Sequence, residues 1–255
     1  MNKKLEAVIV CDGYGDFLHE TLPFTKVVAD DIVVVTSKED SYTQRVCKKL
    51  DVRYVISYVH KYNDSFNKAR AINYGLAHLE LKDWWLHLDA DIVLPMSYKK
   101  WFNEAHLEKN KIYGVDRFNV NYDQWQQVKK TDWLDRTREW GFLISPPSDL
   151  KITPQIKMGS RVGHADYHGW IPIGFHQLSH SSERNRYPNK QQSNMEHTDL
   201  LFASHYPPEN RILVGDTFLL HLTTDSKMGV NWEGRKSKAF GNPSLMPINT
   251  NYNAC

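Results

Sequence analysis

The sequence is poor in cysteine and has no long apolar run, and these two absences exclude several classes of protein. Its 255 residues include three cysteines, Cys11, Cys47 and Cys255, which are odd in number and widely spaced. The sequence has no C-x-x-C pair that would suggest a zinc site. It also has no even set of cysteines that would suggest the disulfide framework of a secreted protein. No stretch approaches the roughly 20 apolar residues that cross a bilayer. The N-terminus leads into only about five apolar residues, too few for a signal peptide. We therefore expect a soluble, cytoplasmic protein.

The sequence also has little excess of either positive or negative charge. The net charge of +2 is too small to argue for nucleic acid or an anionic membrane as a partner. Aromatic residues are plentiful, with 8 Trp and 13 Tyr, and rings in excess of core needs often line sugar or base sites. The length suits one large α/β domain or two small ones. Because we find no internal repeat and no low-complexity linker, we favour one domain.

Strand and helix patterns alternate over the first 115 residues. Apolar runs predict buried strands at 7–11, 31–36, 53–58, 84–88 and 111–115. Helices are predicted between them: one from Phe17 to Leu22 that Pro23 stops, one capped by Asp40 or Ser41, and one capped by Asp64 or Ser65. This alternation predicts an α/β fold with a mostly parallel sheet flanked by helices.

Beyond about residue 116 the alternation ends. Residues 121–141 fit a partly amphipathic helix or a loop, and 196–205 fit a short helix. The segment 181–193 is polar and basic and is predicted to be exposed, whereas the apolar run 218–222 is predicted to be a strand. The tail from residue 237 shows no periodicity.

Asp89 and Asp91, which we call the aspartate pair, directly follow the predicted strand at 84–88. At the end of an extended strand, the two-residue period puts both side chains on the same side. Two ionised carboxylates there repel each other unless a cation or hydrogen bonds compensate. Ligands of parallel sheets bind at the carboxyl ends of the strands, where Asp12 also falls. The pair predicts a divalent metal that carries a phosphate; two solvated turn aspartates are the alternative.

The order of these pieces resembles the nucleotide-sugar half of a GT-A fold glycosyltransferase, closest to the family 2 type. The resemblance covers residues 5–116 and depends on the segment N-K-A-R-A-I-N-Y-G-L at 67–76, followed by D-A-D at 89–91. It implies a GT-A (Rossmann-like) fold and a nucleoside diphosphate-sugar donor, with a UDP-sugar first among the candidates. It also implies Mn²⁺ or Mg²⁺ as cofactor, since such an ion stabilises the charge of a departing diphosphate. Asp91 would bind the metal, and Asp89 the metal or the ribose.

The same resemblance assigns donor contacts to further residues. Asp12 and Asp40 would face the nucleoside with Thr36 nearby, and Lys68 and Arg70 would lie near the base or ribose. For Lys68 and Arg70, a solvated helix face is an equally good interpretation.

The second half resembles the family less closely, but two segments fit the expected order. His221 follows an apolar run, as does the late histidine with which GT-A enzymes complete the metal site; a hydrogen-bonded core histidine is the alternative. The segment 196–201 resembles the acidic segment in which inverting members place the base that deprotonates the acceptor. Asp199 is the first choice and Glu196 the second, because His197 stands where the family has Asp. Both acids are also favourable as first-turn helix charges.

Two more stretches are predicted to complete the site. The loop at 228–236 has glycines on either side of Trp232, followed by Arg235 and Lys236, and can close over a diphosphate and exclude water. An ordinary surface loop is the alternative. The aromatic stretch 165–175, together with Asp116 and Arg117, is predicted to form the acceptor side.

We therefore expect a metal-dependent glycosyltransferase that moves a sugar to an acceptor hydroxyl with inversion. One GT-A domain, 1–255, would comprise a nucleotide-sugar half (1–116), an acceptor and catalytic half (117–236) and an irregular tail (237–255). The acceptor is expected to be a glycan, a protein or hydroxymethylated bases of phage DNA. A non-catalytic nucleotide or glycan binder and a metal-dependent hydrolase are the alternatives from other classes. A nucleotidyltransferase is disfavoured, because the turn at 12–16 is acidic rather than basic.

Overall fold

The computed structural model describes residues 3–57, 67–130, 163–164, 169–183, 186–188, 198–224 and 239–241. The strands in these ranges are β1 (Leu5–Val10), β2 (Asp31–Thr36), β3 (Arg53–Ile56), β4 (Trp84–Asp89), β5 (Ile92–Val93), β6 (Ile112–Val120), β7 (Gly163–His164), β8 (Gly169–Trp170), β9 (His176–His180) and β10 (Arg211–Leu222). The helices are α1 (Gly15–Val28), α2 (Ser41–Lys49), α3 (Lys68–Leu76), α4 (Met96–Glu104), α5 (Tyr122–Val128) and α6 (Thr198–Ala203).

Eight strands form one sheet in the order β3-β2-β1-β4-β9-β6-β10-β5. Strands β3, β2, β1 and β4 are parallel neighbours, and β6 and β10 run in the same direction as they do. The remaining two, β9 and β5, are antiparallel to their neighbours. The mostly parallel, helix-flanked sheet that the sequence predicts is therefore confirmed. None of the described helices is long and apolar enough to span a membrane.

The sheet is buried on both faces. Every residue of β1 is buried; Ala7 and Ile9 pack on the α1 side, and Val8 and Val10 on the α3 side. Full burial of a side chain of this size contributes about 1.5–3 kcal/mol. Helix α3 lies very close to the sheet, because a Cβ added at Gly75 would come within 2.4 Å of the Val8 side chain. This close packing holds the start of α3 near the carboxyl ends of the strands.

Three local predictions, the end of α1 and the caps of α2 and α3, have different outcomes. Helix α1 runs through Pro23 to Val28, so the prediction that Pro23 stops it is wrong. Burial of Leu22 and Val28 beside the sheet offsets the backbone hydrogen bond that proline removes. The cap of α2 is confirmed, since the Asp40 side chain accepts the backbone N–H of Thr43 at 3.0 Å. The cap of α3 is Asn67; the predicted caps, Asp64 and Ser65, lie outside the described residues.

The sheet takes strands from both predicted halves. The predicted boundary at 116/117 falls inside β6, which is longer than expected, and β10 extends the predicted strand at 218–222 back to Arg211. Strand β9, which the sequence did not predict, inserts antiparallel between β4 and β6. Within 196–205 the structure describes α6, and within 121–141 it describes α5. Residues 1–116 and residues 117–236, the two predicted halves, therefore contribute strands to one sheet.

Candidate active site

Three residues predicted to face the nucleoside lie together where β1 and β2 end. The Asp12 carboxylate accepts the Ser37 hydroxyl at 2.5 Å. The Asp40 carboxylate accepts the backbone N–H of Gly13 at 2.7 Å and the Thr36 hydroxyl at 3.4 Å. Gly13 has a φ of 75°, a left-handed conformation that favours glycine. These bonds fix the turn after β1, and direct nucleoside contact by Asp12, Thr36 and Asp40 stays a prediction.

Lys68 is not on a solvated helix face. Its ammonium lies 2.6 Å from Asp89 Oδ1, and 22% of the Lys68 side chain and 31% of the Asp89 side chain are exposed. Burial acts to lower the pKa of Lys68, but attraction to Asp89 and Asp199 outweighs it, so that pKa is raised. Burial raises the pKa of Asp89 despite the nearby Lys68. The raised pKa of Lys68 favours its charged form, whereas the raised pKa of Asp89 favours its neutral form. Because solvent reaches Asp89, we take both groups as charged at neutral pH.

Asp91 and His221 form the second contact of the aspartate pair. His221 Nε2 lies 3.2 Å from Asp91 Oδ2, and both side chains are largely buried. The other carboxylate oxygen, Oδ1, is buried and has no hydrogen-bond partner within the part of the chain that the structure describes. Burial alone would raise the pKa of Asp91, but His221, Arg117 and Lys68 outweigh it and lower that pKa. The carboxylate is therefore ionised, as a metal ligand must be.

Asn119 sets the orientation of the His221 ring. Its side-chain oxygen lies 2.8 Å from His221 Nδ1. An amide oxygen only accepts, so the hydrogen-bond network assigns the proton to Nδ1. Nε2 then points its lone pair at Asp91 unless it is protonated or bound to a cation. A histidine that binds a metal usually donates its other N–H to a carbonyl or carboxylate in this way.

Arg117 adds a second positive group next to the aspartate pair. Its guanidinium lies 4.3 Å from the centre of the Phe175 ring. Burial lowers the Arg117 pKa, and Asp91 and Asp89 counteract that effect. Its Nε is buried and has no hydrogen-bond partner among the described residues. The prediction put Arg117 on the acceptor side, and the structure places it beside the metal-binding candidates.

Asp199 reaches the same cluster from α6. Its Oδ2 accepts the backbone N–H of Gly174, and its backbone oxygen accepts Gln177 Nε2 at 3.0 Å. A Cβ added at Gly174 would come within 2.8 Å of Asp199, so only glycine fits. The charge of Asp199 acts on both Lys68 and Asp89. The structure thus brings the first candidate for the base to the aspartate pair.

Several predicted site residues are not part of this description. Glu196, Trp232, Arg235 and Lys236 lie outside the described residues, and Arg70 is a half-buried residue of α3. Three neighbours of the site, His87, Gln177 and Tyr187, were missed by the sequence analysis. All three are buried, and burial followed by the charge of Lys68 lowers the pKa of His87 well below its usual value. A polar residue inside an apolar strand, such as His87 in β4, was the available signal.

The donor set fits a divalent cation but is incomplete as it stands. Asp91 and His221 face each other, whereas Asp89 is engaged by Lys68. Within the described ranges, no group of three or more His, Cys, Asp or Glu side chains has the arrangement of a metal site. Carboxylate and imidazole ligands suit Mn²⁺. Asp91 Oδ1, which has no partner among the described residues, and the ring orientation of His221 are compatible with such an ion.

No protein-family model matches this chain, and no curated protein matches its sequence. Its structure is similar to glucosyl-3-phosphoglycerate synthase from Mycobacterium tuberculosis in complex with Mn²⁺, UDP and glucosyl-3-phosphoglycerate, at 11% identity and a TM-score of 0.48, over 86% of this chain and 72% of that chain. The complex of that enzyme with Mn²⁺, UDP-glucose and phosphoglyceric acid matches at 11% identity and a TM-score of 0.48, over 88% of this chain and 73% of that chain. A further structure of the same enzyme matches at 10% identity and a TM-score of 0.47, over 89% of this chain and 74% of that chain. At such low identity and TM-score, these similarities carry no conclusion about activity, so the function must be argued from the site.

Proposed function

We propose that this protein is a metal-dependent glycosyltransferase that moves a sugar from a nucleoside diphosphate-sugar to an acceptor hydroxyl. The observation that carries the proposal is the Asp91–His221 contact. Among the described residues, one buried Asp91 oxygen has no hydrogen-bond partner, and Asn119 turns His221 Nε2 toward the other. Buried polar atoms normally have partners, so a pair built in this way is completed by a cation.

The resident cation would be Mn²⁺ or Mg²⁺. Asp91 and His221 would hold it, and Asp89 would join them or bind the ribose. When bound, such an ion stabilises the negative charge that develops on a departing diphosphate. An imidazole ligand favours Mn²⁺, since Mg²⁺ prefers oxygen ligands.

The charges around the aspartate pair suit an anionic donor. Lys68 and Arg117 place two cations beside Asp89 and Asp91. Both are proposed to contact the phosphate oxygens, and the buried Arg117 Nε has no hydrogen-bond partner within the described part of the chain. Asp12, Thr36 and Asp40 would line the nucleoside side, and UDP is proposed on the family resemblance. The donor contacts of Arg70, Trp232, Arg235 and Lys236 remain proposals from the sequence.

Asp199 is proposed as the general base. Gly174 binds one of its carboxylate oxygens, which orients the other to accept the proton of the acceptor hydroxyl. As that hydroxyl oxygen attacks the anomeric carbon, the bond from this carbon to the diphosphate breaks, and its electron pair leaves with the diphosphate. A single displacement of this kind inverts the anomeric configuration. Glu196 stays the second candidate.

Thermal unfolding with nucleoside diphosphates and nucleotide sugars, each with and without Mn²⁺, tests the proposal. A ligand at 100 times its Kd stabilises a protein by about 2.7 kcal/mol. We expect UDP or a UDP-sugar to raise Tm only together with the metal, and EDTA to abolish that increase. Sugar transfer to candidate glycans, proteins and hydroxymethylated DNA then follows. The proposal is wrong if no nucleotide stabilises the protein. The acceptor and a cytoplasmic location stay predictions.

A further inference from the structure

A buried polar network lies directly behind the candidate site, on the α3 side of the sheet. Its centre is Tyr187, which is 1% exposed. The Tyr187 hydroxyl donates to Gln177 Oε1 and lies 3.1 Å from His87 Nδ1. His87 and Gln177 are fully buried and face each other across strands β4 and β9. Groups this deeply buried must satisfy one another, since water cannot.

The hydrogen-bond directions in this network follow from the donor inventory. The Tyr187 proton is used on the amide oxygen of Gln177, so the hydroxyl oxygen accepts from His87 Nδ1. The same bond fixes the Gln177 amide, whose Nε2 then points away from Tyr187. That nitrogen donates to the backbone oxygens of Pro172 at 2.8 Å and Asp199 at 3.0 Å. One hydroxyl therefore determines which backbone groups Gln177 holds.

The two ends of the network reach the two acids of the proposed reaction. At one end, His87 Nε2 is buried without a partner among the described residues and lies 3.7 Å from Asp89 Oδ1. At the other end, Gln177 holds the backbone of Asp199, whose carboxylate accepts the N–H of Gly174. The network thus connects the donor side of the site to the proposed base.

Tyr187 is itself fixed by two further elements. The Asn73 side chain on α3 accepts the backbone N–H of Tyr187 at 3.0 Å and donates to its backbone oxygen at 2.8 Å. The Tyr187 ring stacks on Phe202 of α6, with centroids 4.2 Å apart and planes 13° apart. Helix α3 carries Lys68, and helix α6 carries Asp199. Helix α3 therefore holds the backbone of Tyr187, and α6 holds its ring.

We propose that Tyr187 and Gln177 are positioning residues that hold Asp199 in register with Asp89. The inference rests on the proposed function, because it gives a role to the acid assigned as the base. Neither residue takes part in bond making. The Tyr187 ring supplies packing, whereas its hydroxyl supplies the alignment, and the two contributions can be separated by substitution.

The substitution Tyr187→Phe removes the hydroxyl and leaves the ring stack on Phe202. Misplacement of a reacting group by about 1 Å costs up to about 10²-fold. We therefore expect kcat for sugar transfer to fall by about tenfold or more, while KM for the nucleotide sugar changes less than about twofold. Tyr98→Phe is the matched control. Its hydroxyl lies 2.7 Å from His176 Nε2 in an equally buried pair on the other face of the sheet, and kcat should not change.

A second variant separates alignment from the cost of an unsatisfied amide. In Tyr187→Phe with Gln177→Met, no unpaired Gln177 amide is left, but the backbone oxygens of Pro172 and Asp199 and His87 Nδ1 lose the partners they have in the wild type. We expect Tm to stay below the wild-type value and kcat to stay low. A recovery of kcat along with Tm would overturn the positioning role.

Amide hydrogen exchange provides a readout that does not need activity. In Tyr187→Phe, protection of Gly174 and of α6 should fall, and in Tyr98→Phe it should not. If the wild type transfers sugar and Tyr187→Phe keeps its kcat, the positioning proposal fails and the proposed function stands. If the wild type transfers no sugar, the function fails, and the exchange result alone decides the inference: unequal loss of protection supports it, and equal loss overturns it.

Discussion

At the amino ends of the strands, Glu6 is fully buried, and its carboxylate accepts the backbone N–H groups of Glu80 at 2.9 Å and Lys82 at 3.0 Å. At the carboxyl ends, 16% of the Asp91 side chain is exposed, but its buried oxygen Oδ1 has no partner in the described part of the chain. The backbone thus supplies a donor to each Glu6 oxygen, whereas no donor among the described residues reaches Asp91 Oδ1. Glu6 and Asp91 are the same kind of group at opposite ends of one sheet, but their hydrogen-bond partners differ.

This difference separates structural acids from functional ones. Glu6, whose two carboxylate oxygens both accept backbone N–H groups, is stabilised by the fold itself. Asp30, which accepts the N–H of Leu5 at 2.8 Å, and Asp83, which accepts the N–H of Lys4 at 3.0 Å, follow the same rule at the amino end. A buried carboxylate without such donors instead marks a place where a ligand supplies the partner.

The largest expected effect is that of Asp91→Asn. We expect kcat to fall about 10³-fold, which corresponds to about 4 kcal/mol in activation free energy, because the amide is a poor ligand and the cation is lost. Tm without metal should fall, since the lowered pKa of Asp91 means that the folded protein stabilises its charged form. Sugar-transfer kinetics and thermal unfolding with and without Mn²⁺ measure both. A variant that keeps a tenth of its turnover would contradict the metal role of Asp91, whereas a wild type that binds nucleotide without turnover would favour the non-catalytic binder.

Asp199→Asn is expected to have the next largest effect. General-base catalysis contributes about 10²–10⁴-fold, and we expect a loss of about 10²-fold in kcat with little change in KM for the donor. The amide oxygen can still accept the N–H of Gly174, so the local fold should survive. Asp83→Asn at the opposite end is the control, and its kcat should match that of the wild type. Equal kcat in both variants would move the assignment of the base to Glu196.

Glu6→Gln should produce the opposite pattern. The glutamine amide has one acceptor oxygen, and its NH₂ group would face a backbone N–H in a site without water. Leaving a buried donor unsatisfied costs about 1–3 kcal/mol, so the free energy of unfolding in urea should fall by about 2 kcal/mol. Turnover per folded molecule should not change. A fall in turnover at constant stability would show that the two ends do not differ as proposed.

The smallest effect is expected from the ion pairs. Lys68–Asp89 at the carboxyl end and Arg53–Asp31 at the amino end have short contacts, 2.6 Å and 2.7 Å, and are partly exposed. Removing either cation by substitution with Met should cost less than about 1 kcal/mol. Only Lys68→Met frees Asp89 for the metal, so Mn²⁺ should stabilise this variant more than it stabilises the wild type. Calorimetric titration with Mn²⁺ checks this. Equal Mn²⁺ affinities of Lys68→Met and the wild type would show that Lys68 does not compete with the ion.

Much of the first half could be predicted, because continuous apolar runs and caps are local signals. The strands at β1, β2 and β4 and the Asp40 cap follow directly from such signals. The end of α1 could not be predicted from Pro23, since long-range burial of Leu22 and Val28 outweighs the local cost. Strand β9 shows the limit most clearly. Its sequence, HQLSH, is mostly polar yet fully buried.

The polar residues of β9 are tolerated only because distant residues supply their partners. His176 meets Tyr98, Gln177 meets Tyr187, and His180 Nε2 lies 3.0 Å from Asp83 Oδ1. These contacts span up to 97 positions in the chain. No periodicity within the strand encodes them, so the sequence pattern could not distinguish β9 from a loop.

The sequence by itself determined the α/β alternation and the two carboxylates at the end of β4, because strand burial and the two-residue period are local properties. It also placed the candidates His221 and Asp199 in order along the chain. Only the tertiary structure decided what each carboxylate meets: Lys68 for Asp89, His221 oriented by Asn119 for Asp91, and Gly174 for Asp199. These partners lie 21 to 130 positions away. Electrostatic character depends on distance in space, which the packing of α3, β6 and β10 around β4 sets.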